Sequence, residues 1–188
     1  MSHKEAQKRL LVVWLGSALT MLSIALLIVV APLAAAGAHD RLAFTIYRAF
    51  IVLCHQLPER SYFIAGHPLA VCSRCTGLYA GFAVTMLLYP LVRPLRTTIW
   101  PPREWLILAA VPMAIDFSLT FFGIWENTHT SRLLTGILLG SVCVFYVMPG
   151  IAELSLRKRK TSRPAFTLPP PERMASAPSD YSAPERRI

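Results

Sequence analysis

"LLVVWLGSALTMLSIALLIVVAPL", residues 10–33, runs for 24 residues without a charged side chain. Hydrocarbon demands about 20 apolar residues of helix, and this stretch exceeds that length. A helix is the natural form for it, because a helix satisfies its own backbone hydrogen bonds where lipid offers none. Three more stretches read the same way. Leu69 to Val92 contains one charge, Arg74; Trp105 to Phe122 contains one, Asp116; Leu133 to Met148 contains none. Four transmembrane helices in an all-α integral membrane bundle are therefore predicted. Composition agrees: 54% of the 188 residues are hydrophobic and 15% charged, against roughly 25% charged in soluble domains. A signal peptide is the competing reading of the first stretch, with Lys4, Lys8 and Arg9 before it and "AGA" at 36–38 after it. The run is longer than the roughly 7–15 residues of a signal core, so a retained helix is expected.

Basic residues set the expected orientation. Lys4, Lys8 and Arg9 precede the first helix, Arg93, Arg96 and Arg103 lie between the second and third, and Arg157, Lys158, Arg159 and Lys160 follow the fourth. With four spans these groups share one side, which is then the cytoplasm. The expected organisation is a cytoplasmic N-terminus at 1–9, a transmembrane domain at 10–150 and a basic, Pro-rich, disordered cytoplasmic tail at 151–188. An extracytoplasmic loop spans about 39–68, and the membrane is the plasma (inner) membrane. The net charge of +9 needs no nucleic acid, since topology and anionic headgroups account for it. "RLAFTIYRAFIVL", residues 41–53, is too short to span and reads as a short interfacial helix.

The chemistry concentrates in "CHQLPERS", residues 54–61, and "CSRC", residues 72–75. Cys72 and Cys75 are three apart, so a helix would present both on one face, with Cys54 and His55 able to fold back toward them. Three readings stand. One is a metal site with Cys54, His55, Cys72 and Cys75 as ligands for zinc or another thiophilic metal. Adjacent Cys54 and His55 make a cramped half-site, so one of them could yield to His67 or water. The second is thiol–disulfide exchange by the C-x-x-C pair, quinone-linked by architectural analogy, with Cys54 as partner. The third is a structural disulfide in a non-enzymatic scaffold or transporter component. Cys143 reads as a small core residue.

Asp116 falls at membrane depth, where a carboxylate needs a partner. Arg132 is the first candidate, with Arg74 and Arg60 as alternatives. Asn127 and His129 read as solvated turn residues. Arg60, Arg74 and Arg132 oppose the positive-inside bias. Either they are solvated or paired with Glu59 and Glu126, or they bind an anionic headgroup or carboxylate. Asp116, Arg132, Arg60 and Arg74 are also the candidate catalytic residues, with catalysis itself left open. "GLYAG" and "GILLG" are small-xxx-small patterns for close helix approach, and homo-oligomerisation is compatible with so small a bundle.

"CHQLPERS", "VCSRCTGLYAG" and "PMAIDFSLTFFGIWENTHTSRLLTGILLG" resemble a family of small prokaryotic multi-pass membrane proteins of unknown function. Its signature runs C-H-Q-x-P-x-R-S, then C-x-R-C-x-G-x-Y-x-G, then an Asp, then R-x-x-T-G-x-x-x-G. The resemblance covers roughly Cys54 to Gly140. It implies that Cys54, His55, Gln56, Pro58, Arg60, Ser61, Cys72, Arg74, Cys75, Gly77, Tyr79, Gly81, Asp116, Arg132 and Gly136 belong to the pattern. It implies no activity.

Overall fold

The computed structural model describes residues 3–156, which fall within one compact unit, Met1–Arg157. Residues 151–156, expected to belong to the disordered tail, form the last turns of the fourth long helix; the rest of the expected tail, 157–188, lies outside the described residues. Four helices are long and apolar enough to cross a membrane: α1 (His3–Ala36), α3 (Ser73–Val92), α4 (Arg103–Phe121) and α5 (His129–Leu156). Between α1 and α3 lies the shorter α2 (Asp40–Phe50). The protein is a four-span helical membrane bundle. Helices α1 and α5 run past the apolar cores read from sequence, starting at His3 and ending at Leu156.

Apolar side chains cover the outside. Leu91, Leu108 and Phe121 are 83%, 71% and 73% exposed, and α4 buries only Ala109. A helix apolar on all sides is stable in that state only when lipid is its solvent.

The tightest seam joins α3 and α5. A Cβ on Gly77 would sit 2.1 Å from the Leu133 carbonyl oxygen, and one on Gly81 2.4 Å from that of Ile137. In return, a Cβ on Gly136 would meet the Arg74 carbonyl oxygen at 2.3 Å, and one on Gly140 that of Leu78 at 2.2 Å. Two reciprocal Gly-xxx-Gly faces thus let the backbones touch. The register sets the start of α5 against the first turn of α3.

Prolines inside the helices create docking points. Pro32 has no N–H for the Ile28 carbonyl, and the Ala70 N–H approaches that oxygen at 3.4 Å instead. Pro90 likewise frees the Met86 carbonyl, which accepts from Trp14 Nε1 at 2.8 Å. One such bond ties the loop before α3 to α1, the other ties α1 to α3 near the opposite end. At that opposite end Arg96 and His3 are also hydrogen-bonded, so the start of α1 and the α3–α4 connection lie together.

The segment between α2 and α3 is more ordered than a plain loop. Pro58–Arg60 form a 3-10 turn, and Phe63–Ile64 (β1) pairs antiparallel with His67–Pro68 (β2). The two residues between these strands, Ala65 and Gly66, have φ of 51° and 82°, the left-handed pair that a tight hairpin requires. Helix α2 turns Ala43, Ile46 and Phe50 inward. Ile46 and Phe50 join Ile28, Ala31, Cys54, Leu69, Ala70 and Val71 in one core cluster, so Cys54 is held by apolar packing.

Candidate functional site

Gln56 shapes the approach of the two cysteine segments. Its backbone is left-handed, with φ of 51°. Its Nε2 donates to the carbonyls of Tyr47 at 2.7 Å and Ala70 at 2.8 Å. One carboxamide therefore clips the "CHQ" segment between α2 and the lead-in to α3. The Tyr47 hydroxyl adds a bond to the Pro68 carbonyl at 2.5 Å.

The result is a sulfur triangle. Cys54, Cys72 and Cys75 have Sγ atoms that all lie within 4.8 Å of one another, a group able to hold a metal ion. All four cysteines, Cys143 included, are free thiols. Cys72 is the N-cap of α3 and Cys75 lies in its first turn, where the positive end of the helix dipole favours thiolate. The Cys72 backbone N–H donates to Cys54 Sγ at 3.2 Å. The Cys54 thiol is held far below the ordinary thiol range, chiefly by hydrogen bonds from the Cys72 and Cys75 thiols, with burial opposing. His55 is not part of the triangle. Its side chain is exposed and lines the cavity beside the sulfurs. His67 is engaged in the hairpin as the partner of Ile64 and is also absent from the sulfur group.

That cavity measures about 620 Å³ and is lined by the three cysteines, His55, Gln56, Arg60, Arg74, Arg132 and Asn127 on its polar side. Leu53, Leu57, Phe117 and Phe121 form its apolar side. Sequence reading placed Cys54, Cys72, Cys75, Arg60, Arg74 and Arg132 at one end of the bundle, and they share this wall.

Asp116 is paired with Arg74, not with Arg132 as first expected: Arg74 Nη2 lies 2.7 Å from Asp116 Oδ2. The Gly seam explains the difference. It fixes Arg74 on the first turn of α3, where its guanidinium also lies over the Phe117 ring at 5.8 Å. Arg132 reaches the carboxylate at one remove. Its Nε donates to Asn127 Oδ1 at 2.5 Å, and Asn127 Nδ2 donates to Asp116 Oδ2 at 2.7 Å. Asn127 is therefore a bridge and not a solvated turn residue. Its carboxamide offers a donor to the carboxylate and an acceptor to the guanidinium. Among the described residues neither Glu59 nor Glu126 pairs with these arginines, which removes that one of the alternatives.

His129 also has a structural partner. Ser73, fully buried, donates to the Arg60 carbonyl at 3.0 Å and lies 2.9 Å from His129 Nδ1. Ser73 has one hydroxyl hydrogen. With that hydrogen given to Arg60, His129 Nδ1 carries the proton of the second bond. The His129 ring packs on Tyr62 with centroids 5.3 Å apart. Sequence reading missed Ser73, and took for a solvated turn residue the His129 that Ser73 and Tyr62 hold. A serine between two cysteines at a helix start was the available signal, because that position faces both the loop and the neighbouring helix.

Comparison with known proteins agrees with this fold. The family described as "Predicted membrane protein (DUF2085)" matches residues 54–146, which span the thiols, the ion pair and the Gly seam. An uncharacterised protein of Methanocaldococcus jannaschii is 38% identical over 119 residues, 63% of this chain and 76% of that protein. An uncharacterised protein of Methanothermobacter thermautotrophicus is 37% identical over 91 residues, 48% of this chain and 80% of that protein. No solved structure matches. With two relatives of that identity covered over most of their length, the chain belongs to the DUF2085 family of predicted membrane proteins.

Proposed function

We propose that this is a plasma-membrane protein with both termini in the cytoplasm, whose outward-facing Cys54, Cys72 and Cys75 hold zinc or another thiophilic metal. The observation that carries the reading is the convergence of three sulfurs within 4.8 Å. Thiolates around tetrahedral zinc at about 2.3 Å stand about 3.8 Å apart, so small rotations suffice. Soft sulfur donors select thiophilic metals over magnesium or calcium, and the Cys72 N–H on Cys54 Sγ is the bond that orients and stabilises a ligating thiolate. Three protein ligands leave one position for another group, the pattern of reactive and not of closed structural sites. That position belongs on the cavity side, beside His55. A bound zinc would supply Lewis-acid polarisation there, while Arg60, Arg74 and Arg132 would orient whatever enters. The orientation rests on the basic groups before α1, between α3 and α4, and after α5.

A redox role is the second reading, favoured by the lowered Cys54 thiol beside a cysteine at a helix N-cap. Elemental analysis of detergent-purified protein, prepared without chelator, separates the two. The metal reading expects about one thiophilic ion per chain and essentially none in the Cys72→Ser, Cys75→Ser double variant. It also expects thiols in intact cells that resist alkylation until a chelator is added. A metal-free wild type with a mixture of oxidised and reduced Cys72 and Cys75 would transfer the case to redox.

A further inference from the structure

The cavity carries more positive charge than its own residues balance. Arg60, Arg74 and Arg132 line it, and no lining residue is acidic. Asp116 compensates Arg74. Among the described residues no carboxylate pairs with Arg60 or Arg132. Two guanidinium charges are left over. Metal loading would offset only one of them, since three thiolates with a divalent ion carry one negative charge.

The three guanidiniums also arrive from three parts of the chain. Arg60 comes from the 3-10 turn, its carbonyl pinned by buried Ser73. Arg74 comes from the start of α3, and Arg132 from the start of α5, steadied by Asn127. One guanidinium can satisfy a carboxylate with two parallel bonds, whereas donors from several directions suit a tetrahedral phosphate. Phe117, under the Arg74 guanidinium, and Phe121 also line the cavity and are 53% and 73% exposed on α4, so its apolar side opens where acyl chains pack. The position fits as well. The site lies at the ends of three spanning helices, the level at which lipid phosphates lie.

We propose that this cavity binds an anionic phospholipid, its phosphate held by Arg60 and Arg132 beside Arg74, and its chains leaving past Phe117 and Phe121. This deepens the reading above by naming the class of molecule that enters the site, and it rests on that reading only for the metal beside the phosphate.

The test uses full-length, delipidated protein in an uncharged detergent, with retained lipid read by native mass spectrometry. The probes are phosphatidylglycerol, phosphatidylcholine and inorganic phosphate. Wild type is expected to prefer phosphatidylglycerol over phosphatidylcholine by tenfold or more, with inorganic phosphate a poor competitor. Arg60→Gln is expected to cut that preference about tenfold, the scale of one charge-assisted hydrogen-bond set. Arg132→Gln should act similarly, and Arg41→Gln, on the exposed face of α2, should leave it unchanged. Because Arg60 is exposed and outside the helix seams, its variant folds and keeps the test decisive if Arg132→Gln does not. Equal binding of both lipids, or an Arg60→Gln variant with full preference, overturns the proposal. Inorganic phosphate competing as strongly as phosphatidylglycerol overturns the lipid source in favour of a soluble anion. Metal content is measured on the same samples. Lipid preference surviving in the metal-free Cys72→Ser, Cys75→Ser protein upholds this inference without the metal reading. Metal-loaded wild type without lipid preference sinks this inference alone.

Discussion

Gly136→Leu is expected to abolish folding of the bundle. A Cβ at that position already meets the Arg74 carbonyl oxygen at 2.3 Å and the Leu78 amide nitrogen at 2.9 Å. Both are backbone atoms of α3 and cannot swing away, so the helices must part. Parting them removes the van der Waals contacts that hold membrane helices together, where no hydrophobic driving force replaces them. The loss should exceed about 4 kcal/mol, in the range reserved for gross overpacking. It should also displace Arg132 from Arg74 and open the cavity. Gly16→Leu is the control, because a Cβ at Gly16 has nothing within 4 Å. The expected result is that Gly16→Leu elutes from detergent as a single species with wild-type resistance to SDS unfolding, while Gly136→Leu aggregates or fails to accumulate. Monodisperse Gly136→Leu protein of wild-type stability would disprove the seam.

Asp116→Ala should produce the second-largest effect, about 3 kcal/mol of lost stability, because it strands Arg74 at the edge of the hydrocarbon. The Asp116 side chain is 11% exposed and that of Arg74 23%, so water screens the charge only partly. The same change removes the acceptor of Asn127 Nδ2 and so loosens Arg132 as well. A paired replacement separates charge from packing. With Arg74→Met and Asp116→Leu together, no buried charge is left unpaired, and most of the stability should return. The cavity would then lack one guanidinium, and lipid preference should stay low. The measurement is SDS titration followed by tryptophan fluorescence. A single variant as stable as wild type would mean that solvent already satisfies Arg74.

Much of this was legible in the sequence, for identifiable reasons. Charge-free runs such as residues 10–33 permit one structure in lipid, so the four spans followed from length and composition. Gly77, Gly81, Gly136 and Gly140 announced their seam because small residues at four-residue spacing have few other uses in a membrane helix. The three cysteines converge because Cys72 and Cys75 flank a single helical turn and Cys54 lies in the segment packed against it. His55, the fourth residue expected at the site, stands outside the sulfur triangle. Cys54 is buried among Ile46, Phe50 and Val71, whereas His55 is exposed and lines the cavity beside the sulfurs. Depth favoured Arg132 over Arg74 as the partner of Asp116, and only the register of α3 against α5 reverses that order. Register depends on which backbones touch, which spacing alone does not specify. The docking of Trp14 onto the carbonyl freed by Pro90, and of Ala70 onto that freed by Pro32, depends on tertiary partners far away in sequence.

The central claim is that Cys54, Cys72 and Cys75 bind one metal together. Zinc-edge X-ray absorption on the purified, metal-loaded protein tests it most directly. The account predicts a shell of three sulfurs at about 2.3 Å with one lighter ligand, reduced to a lighter-atom shell or to no metal in Cys54→Ser. A wild-type spectrum dominated by nitrogen and oxygen, or one unchanged by Cys54→Ser, would contradict it.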